Sequence, residues 1–233
     1  MRILIQRMSL ICLVHGSTQG PSCWDLLAPQ LEQLGHSPIR ADLPTNNPEA
    51  SGNLYAEVIA NSIPGGVNDA VIVAHSVSGL FLPLVAARQS VGRLVFLMAV
   101  IPKLGCSLTD QLQADRSMIY PEWIGVDPTK DDESALRFLF HDCQPELIPW
   151  ALSTRRLMNA RRAMTEPCPL DAWPKVPSSY ILCTEDRIFR PDPFRRAAVE
   201  RLGTIPIELP AGHCPHVSHP VRLAEEISKL ARN

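Results

Sequence analysis

The chain has 233 residues, a formal net charge of −2 and seven cysteines. Its length fits one large α/β domain, residues 1–233, which buries roughly 70 to 75% of the surface that the unfolded chain exposes. Because charges of both signs are interspersed and nearly cancel, the sequence excludes a basic nucleic-acid-binding surface and an acidic tail. We therefore expect a small-molecule partner, and the composition leaves the oligomeric state open.

The cysteines and the N-terminus bear on the cellular compartment. The cysteines are odd in number, scattered and without a C-x-x-C pair, which predicts reduced thiols in a cytoplasmic protein. In the first residues, MRILIQRMSLICLVHG, Gln6 and Arg7 interrupt the apolar run and no small-residue cleavage site follows, so we expect no signal peptide. No run of about 18 apolar residues exists, so we expect no membrane span.

Strands and helices alternate in the first part of the chain. Leu10–Val14 is a continuous aliphatic run that ends at His15 and Gly16, which predicts a buried strand followed by a loop. Ser22 can cap the next helix, and Gly35 is placed to end it. Further strands are predicted at 38–41, 70–73 and 94–100, and further helices at 54–63 and from the 76 corner to about 88. This alternation predicts an α/β fold with a mostly parallel sheet and helices on both faces.

Residues 103–170 break the alternation. They contain helical patterns, notably at 133–140 and 145–158, with no obvious strand between them. An apolar stripe in the second pattern predicts packing, and we expect the neighbouring arginines to form a solvated face: Arg155, Arg156, Arg161 and Arg162. The alternation then resumes with strands at 179–183 and 206–209, a helix at 193–202 and a last helix from 220.

The segment VIVAHSVSGL, residues 71–80, places Ser76 between a predicted strand and a predicted helix. Ala74 and Ser78 stand where the pattern G-x-S-x-G has its glycines, and Gly79 follows. A sharp turn that lifts a serine Oγ above a sheet needs small neighbours, because bulky ones would collide with the adjacent strand and helix. Ser76 is therefore a candidate nucleophile, and the alternative is a turn residue or a helix N-cap.

A serine nucleophile needs a base, and three histidines lie together near the C-terminus. His213 is the preferred base because it follows a predicted strand. His216 is the alternative base, and His219 is more typical of a cap or a surface residue. The spacing H-x-x-H-x-x-H would also suit zinc. Pro215 and Pro220 argue against one regular helix that presents all three imidazoles, and no carboxylate motif accompanies them, so we expect no metal.

Asp186 is the preferred acid, because it also follows a predicted strand. It would hold the tautomer of the base and stabilise the imidazolium that forms. Glu185 is adjacent and stays an alternative acid. The structural alternative is that Asp186 is a turn carboxylate paired with Arg187 or Arg190. The chain order serine, acid, histidine favours catalysis, since it is the order of the α/β-hydrolase triad.

Backbone N–H groups are the expected donors to the oxyanion that forms on an attacked carbonyl. Each such donor is commonly worth roughly 3 to 4 kcal/mol in the transition state. Val77 directly follows the candidate nucleophile, and Ser17 directly follows His15 and Gly16 at the end of the first strand. We predict that the N–H groups of Ser17 and Val77 form the oxyanion hole. The alternative is that His15 and Gly16 merely begin a loop.

Several of these residues together resemble a known family: His15 and Gly16 with Trp24, the segment 74–79, Asp186, and Gly212 with His213. They resemble the α/β-hydrolase fold, across nearly the whole chain. Residues 94–102 (LVFLMAVIP) and the turn at 183–186 look most like the compact branch that contains plant methylesterases, hydroxynitrile lyases and their bacterial relatives. The resemblance implies a helical cap formed by residues 103–170, no cofactor, and Ser76, Asp186 and His213 as nucleophile, acid and base.

Two positions favour hydrolysis over the lyase chemistry of this branch. Hydroxynitrile lyases carry a threonine after the first histidine and a lysine after the catalytic histidine, where this chain has Gly16 and Cys214. We expect a serine hydrolase that cleaves a small carboxylic ester or lactone through an acyl-enzyme. A non-hydrolytic lyase or cyclase, and a small-molecule receptor that retains the triad, are the alternatives. The cap offers four candidates for a largely apolar pocket: Met118, Trp123, Phe138 and Trp150.

Overall fold

One parallel β-sheet forms the centre of the protein in the computed structural model, which describes residues 8–232. Its strands are β1 (Leu10–Val14), β2 (Ser37–Ala41), β3 (Val71–His75), β4 (Arg93–Leu97), β5 (Ser178–Cys183) and β6 (Ile207–Leu209). They pair in the order β2-β1-β3-β4-β5-β6, and every pair is parallel. The predicted α/β fold is therefore confirmed. Gln6 and Arg7, on which the signal-peptide argument depends, lie outside the described residues.

Helices cover both faces of this sheet. Those within residues 8–232 are α1 (Leu27–Gln33), α2 (Gly52–Ser62), α3 (Leu82–Arg88), α4 (Leu108–Ala114), α5 (Asp132–Phe138), α6 (Ile148–Ser153), α7 (Arg161–Thr165), α8 (Pro191–Leu202), α9 (Pro215–Ser218) and α10 (Pro220–Arg232). Helices α1 and α10 pack on one face, and α2, α3 and α8 pack on the other. Residues 103–170, for which we keep the name cap, contribute α4 to α7. In the described part of the chain, no helix combines the length and the apolar character needed to cross a membrane.

The strands are aliphatic because both faces of the sheet are covered. Along β1, Ile11 and Leu13 belong to the core formed with α1 and α10, whereas Cys12 and Val14 belong to the core formed with α2 and α3. All four side chains are fully buried. Because the strands are parallel, their carboxyl ends lie at one edge of the sheet. The loops after β1, β3, β5 and β6 are therefore brought together at that edge.

The start of the first helix differs from its prediction. Ser22 lies within a 3-10 turn, Pro21–Trp24, and is not the cap of α1, which begins only at Leu27. Pro21 favours this turn because its ring fixes φ and removes an N–H that a helix start leaves unpaired. Gly35 does follow the end of α1, and its φ of 84° is the left-handed conformation that glycine adopts without strain.

The helix predicted at 145–158 stops early. A 3-10 turn, Pro145–Leu147, leads into α6, which ends at Ser153. The hydroxyl of Thr154 turns back and donates to the carbonyl oxygen of Ala151 at 2.7 Å. Residues 154–158, which we call the edge segment, then run beside residues 15–20, which we call the β1 loop. The helical prediction at this end is therefore wrong.

Three backbone hydrogen bonds join the edge segment to the β1 loop. They run from Gly20 N to Thr154 O at 3.0 Å, from Arg156 N to Thr18 O at 3.0 Å and from Met158 N to Ser17 O at 2.7 Å. An antiparallel bridge between Gln19 and Arg155 lies within this ladder. A peptide group that pairs with the β1 loop cannot also continue a helix, and this explains the early end of α6.

The cap arginines do not form one solvated face, as was expected from their spacing. The side chain of Arg155 is only 14% exposed and donates to two backbone carbonyl groups of the cap. Arg156 reaches from the edge segment to the β1 loop. Only Arg161 and Arg162 remain at the surface, where each pairs with a glutamate. The extended edge segment, in place of a helix, is the reason for this difference.

Candidate active site

Ser76 lies at a strained corner of the chain. It follows the last residue of β3 and begins a 3-10 turn, Ser76–Phe81. Its φ of 58° is in the left-handed region, which costs a residue with a side chain about 1 to 2 kcal/mol. Glycine is required at position 79, because a Cβ on Gly79 would lie 2.3 Å from the carbonyl oxygen of Val100. This is the sharp turn that presents a serine hydroxyl above a parallel sheet.

The β1 loop packs closely against this corner. A Cβ on Gly16 would lie only 2.9 Å from Cβ of Ser76, so a glycine makes this approach possible. Ser78 donates from its Oγ to the carbonyl oxygen of His15 at 2.6 Å. Ser78 stands at a motif position where the G-x-S-x-G pattern has glycine, and its hydroxyl links the two loops.

The structure brings Ser76, Asp186 and His213 together. His213 Nε2 lies 3.1 Å from Ser76 Oγ, and His213 Nδ1 lies 2.6 Å from Asp186 Oδ2. The three residues are 5%, 3% and 2% exposed, respectively. The other carboxylate oxygen, Asp186 Oδ1, accepts hydrogen bonds from the N–H groups of Ile188 and Phe189 at 2.5 and 2.8 Å. A carboxylate held at both oxygens can orient an imidazole toward a serine hydroxyl.

The alternatives for the acid occupy other places. Glu185 is exposed. Asp186 does close a turn, as the structural interpretation requires, but its side-chain partner is His213 rather than an arginine. Arg187 and Arg190 make their contacts with the cap instead. Asp186 therefore serves the turn with one oxygen and the imidazole with the other.

The other two histidines of the C-terminal loop have different partners. His216 is fully buried, and its Nε2 lies 2.9 Å from Gln19 Oε1. His219 Nδ1 lies 2.8 Å from the hydroxyl of Ser218. Neither contacts Ser76, so the geometry favours His213 as the base over the alternative, His216. Within residues 8–232, no group of three histidine, cysteine, aspartate or glutamate side chains is arranged to hold a metal ion.

Burial keeps the neighbouring imidazoles neutral. Desolvation lowers the pKa of His216 to about 3 and that of His15 to about 4, and it lowers the pKa of His75 well below its usual value. His75 donates from Nε2 to the carbonyl oxygen of His213 at 2.8 Å, and the two rings lie 4.7 Å apart. His75 therefore holds the backbone of His213, and none of the three neutral rings places a positive charge beside its imidazole.

The two predicted oxyanion donors flank Ser76. Val77 directly follows Ser76 in the 3-10 turn, and Ser17 follows Gly16, which lies against Ser76. Neither the N–H of Ser17 nor that of Val77 donates to a protein acceptor within residues 8–232. The carbonyl oxygen of Gly16 lies 2.8 Å from His15 Nδ1. Both N–H groups are thus available to a ligand, and the peptide before Ser17 is held by His15.

Asp142 of the cap is a site residue that the sequence did not indicate. Its Oδ2 accepts hydrogen bonds from Gly212 N at 2.7 Å and from Ser218 Oγ at 2.8 Å. A Cβ on Gly212 would lie 2.7 Å from His141 Nε2 and 2.8 Å from Asp142 Oδ1, so a larger residue there would displace these side chains. The cap therefore anchors the loop that carries His213. No local pattern around Asp142 signals this contact, since its partners lie about 70 residues away.

Gln19 is a second residue that the sequence did not indicate. Its Nε2 donates to the hydroxyl of Thr154 at 3.0 Å, and its Oε1 lies 2.9 Å from His216 Nε2. The thiol of Cys214 lies 3.5 Å from the same oxygen. Gln19 thus joins the β1 loop, the cap and the loop after His213 in one buried polar network.

The cap residues expected in an apolar pocket stay predictions. Trp123 and Phe138 pack on each other as a T-shaped pair with ring centroids 5.4 Å apart, and Met118 is buried. Phe138 also lines a surface cleft together with the charged residues Arg137 and Arg187.

Known proteins share this sequence pattern and architecture. The profile of the alpha/beta hydrolase family matches residues 13–226. The chain is 26% identical to Probable hydrolase R7 of Phoma sp., over 95% of this chain and 97% of that protein. It is 25% identical to Methylesterase 1 of Arabidopsis thaliana, over 97% of each. The crystal structure of a pyrethroid hydrolase from Sphingobium faniae, 22% identical, matches 97% of this chain and 98% of that chain with a TM-score of 0.78. These findings confirm the resemblance to the branch with plant methylesterases, and the chain belongs to the alpha/beta hydrolase family.

Proposed function

We propose that this protein is a serine hydrolase that cleaves a small carboxylic ester or lactone. The observation that carries the proposal is the position of the His213 imidazole, which lies 3.1 Å from Ser76 Oγ and 2.6 Å from Asp186 Oδ2 through opposite ring nitrogens. Relatives named as a methylesterase and as a pyrethroid hydrolase support an ester as the substrate class. The seven free cysteines fit a cytoplasmic location.

Acylation begins when the Ser76 hydroxyl attacks the ester carbonyl. His213 Nε2 takes the hydroxyl proton, and Asp186 stabilises the imidazolium through Nδ1. The carbonyl oxygen becomes an oxyanion and accepts hydrogen bonds from the N–H groups of Ser17 and Val77. When the tetrahedral species collapses, His213 returns the proton to the departing alkoxide. The products of this half-reaction are an alcohol and an acyl group bonded to Ser76 Oγ.

Deacylation repeats these steps with water as the nucleophile. His213 takes a proton from the water as it attacks the acyl carbonyl, and the same two N–H groups hold the second oxyanion. Collapse breaks the bond to Ser76 Oγ, and His213 returns the proton to that oxygen. The acid product leaves and the free serine is restored. With a lactone, the alcohol and the acid belong to one molecule.

Two positions favour hydrolysis over hydroxynitrile lyase chemistry. A threonine in place of Gly16 would bring its Cβ within 2.9 Å of Ser76 Cβ, so the corner has no room for that side chain. The place of the lyase lysine holds Cys214, which is fully buried, and burial raises the pKa of its thiol well above the usual value. A neutral thiol supplies no cation for a departing cyanide.

The decisive experiment measures turnover of short p-nitrophenyl esters by the wild type and by Ser76→Ala and His213→Ala. We expect both variants to lose roughly 10⁴-fold or more in kcat. Ser117→Ala, which changes an exposed serine of the cap, is the matched control and should keep wild-type activity. A fluorophosphonate should label the wild type but not Ser76→Ala. Equal turnover by wild type and Ser76→Ala would reject the proposal.

Isotope incorporation separates hydrolysis from the alternative chemistries. A hydrolase must place one oxygen atom from labelled water in the acid product, whereas a lyase or a cyclase places none there. A receptor that retains the triad would bind its ligand without turnover. Mass spectrometry of the product, with Ser76→Ala as the control, therefore distinguishes these alternatives.

A further inference from the structure

Arg156 connects the cap to the imidazole of His15. It lies in the edge segment, and its N–H pairs with Thr18 of the β1 loop. Its Nη2 lies 3.2 Å from His15 Nε2 and is also paired with Asp42. The side chain is 35% exposed, yet its Nε is buried and has no hydrogen-bond partner in the described part of the chain. The guanidinium thus lies between the protein surface and the β1 loop.

These contacts specify the tautomer of His15. A guanidinium has N–H donors only, so Arg156 can bind Nε2 of the imidazole only when that nitrogen carries no proton. The N–H of Leu43 donates to the same nitrogen at 3.3 Å and favours the same tautomer. Because the buried ring is neutral, its one proton is on Nδ1, which lies 2.8 Å from the carbonyl oxygen of Gly16. His15 is therefore the donor to Gly16.

The carbonyl of Gly16 in turn determines the direction of the Ser17 N–H. The two groups belong to one peptide, and in a trans peptide they point in opposite directions. No peptide bond within residues 8–232 is cis. With the proton on Nε2 instead, His15 would turn a lone pair toward the Gly16 carbonyl oxygen and release it. The tautomer therefore controls whether the Ser17 N–H is held in place.

We propose that Arg156 is a positioning residue for the oxyanion hole. Arg156 favours the His15 tautomer with the proton on Nδ1. Because Arg156 belongs to the cap, the direction of the Ser17 N–H then depends on the contact between the cap and the β1 loop. The inference rests on the proposed function, because it requires Ser17 to stabilise an oxyanion. Arg156 touches no reacting atom and acts through His15. If Arg156 served only as a surface ion-pair partner of Asp42, replacing it would leave the oxyanion hole unaffected.

The test replaces Arg156 by methionine, which removes the donors and keeps an unbranched aliphatic chain. We expect kcat for a p-nitrophenyl ester to fall by roughly 10-fold, the loss of one charged hydrogen bond, with KM nearly unchanged. The affinity for a trifluoromethyl ketone, which adds to a serine to give a tetrahedral oxyanion, should fall by a similar factor. Nitrogen NMR of His15 should show a population with the proton on Nε2 that the wild type lacks, beside the Nδ1 form that the N–H of Leu43 continues to favour. Arg156→Lys, a cation with donors only, should recover part of both losses.

Arg155→Met is the matched control, because Arg155 binds within the cap and does not contact His15 through its side chain. It should lower Tm and leave the inhibitor affinity and the His15 tautomer as in the wild type. If Arg156→Met keeps the wild-type kcat, inhibitor affinity and tautomer while wild-type turnover depends on Ser76, this inference alone is overturned. Turnover that does not depend on Ser76 overturns the proposed function instead. If Arg156→Met does not fold, the test uses Arg156→Lys, which should show smaller losses of kcat and inhibitor affinity. Wild-type kcat and inhibitor affinity in Arg156→Lys would then contradict the inference.

Discussion

Ser78 donates a hydrogen bond from its Oγ to the carbonyl oxygen of His15 at 2.6 Å, and so joins the turn after β3 to the loop after β1. Both residues are buried. Ser78→Ala leaves that carbonyl without its donor, which we expect to lower the free energy of unfolding by about 1 to 3 kcal/mol. We expect kcat to fall as well, because the β1 loop carries the proposed donor Ser17.

The measurements for Ser78→Ala are urea unfolding and ester turnover. Ser62→Ala is the matched control, since its hydroxyl donates to the carbonyl oxygen of Val58 within α2, away from the site. The control should lose some stability and keep the wild-type kcat. Equal kcat in Ser78→Ala and the wild type would show that the link between the loops does not matter for turnover.

Replacing Asp186 by asparagine should disable the base without unfolding the protein. An amide can still bind the N–H groups of Ile188 and Phe189 through its oxygen, but its NH₂ would then face His213 Nδ1 and favour the opposite tautomer. We expect a loss of about 10⁴-fold in kcat, as other triads show for this change. Glu185→Gln is the matched control on the adjacent residue and should stay active. A large loss of kcat in Glu185→Gln and not in Asp186→Asn would assign the acid to Glu185.

The strain at Ser76 predicts that a glycine there stabilises the inactive enzyme. The φ of 58° costs alanine or serine about 1 to 2 kcal/mol and glycine almost nothing. We expect Ser76→Gly to unfold with a free energy about 1 kcal/mol higher than that of Ser76→Ala, although both are inactive. Ala74→Gly, in strand β3, should instead lower the free energy of unfolding, because glycine weakens a strand. Equal stabilities of Ser76→Gly and Ser76→Ala would contradict a strained corner.

Buried neutral histidines predict acid sensitivity. In the unfolded chain an imidazole binds a proton below about pH 6.5, whereas in the folded protein burial lowers the pKa of His15 to about 4 and that of His216 to about 3. Between these values the unfolded state binds more protons, so stability falls as pH falls from about 6.5 to 4. Each histidine contributes up to about 1.4 kcal/mol per pH unit to this slope.

His216→Phe tests this contribution. Urea unfolding from pH 7 to 4 should give a slope smaller by about 1.4 kcal/mol per pH unit than in the wild type. The comparison of slopes is independent of any constant loss of stability that follows when Gln19 Oε1 loses its imidazole partner. The same variant tests the alternative base, because it should retain turnover if His213 is the base. A wild-type slope would contradict the neutral state of His216, and inactivity equal to that of His213→Ala would favour His216 as the base.

Asp142 lies in the cap and should affect turnover because it holds the loop that carries His213. Asp142→Ala removes the acceptor for Gly212 N and Ser218 Oγ, so we expect unfolding free energy to fall by about 1 to 3 kcal/mol and kcat to fall roughly 10-fold. Asp127→Ala is the matched control, since the partners of Asp127 are Thr129 and Lys130, its neighbours in the cap. It should keep wild-type kcat. Loss of activity in both variants to the same degree would indicate a general effect of the cap.

Much of the fold is predictable because its signals are local. A strand covered on both faces must be aliphatic over its whole length, and β1 and β3 show this in the sequence. Parallel strands end at one edge of the sheet, so Ser76, Asp186 and His213 could be placed together from their positions after predicted strands. The small neighbours of Ser76 also indicated its strained turn, because the steric limits on a sharp turn concern residues adjacent in sequence.

The supporting contacts were not predictable because they join distant parts of the chain. Asp142 and Gln19 have no local signature, and their partners are decided by how the cap lies on the sheet. The error at 145–158 has the same cause, because the apolar spacing of a helix continues past Ser153 while pairing with Gly20 draws the backbone away. Arg156 was assigned to solvent on the basis of that helix.

The edge segment pairs with the β1 loop although it lies within the cap in sequence. We expect its three backbone hydrogen bonds to the β1 loop to form also in a graft that exchanges residues 107–153 with a relative, because their donors and acceptors all lie outside the exchanged segment. A graft that also includes 154–158 would discard the donors and acceptors that complete that loop. The boundary of an interchangeable module therefore lies at Thr154, well before β5 begins at Ser178.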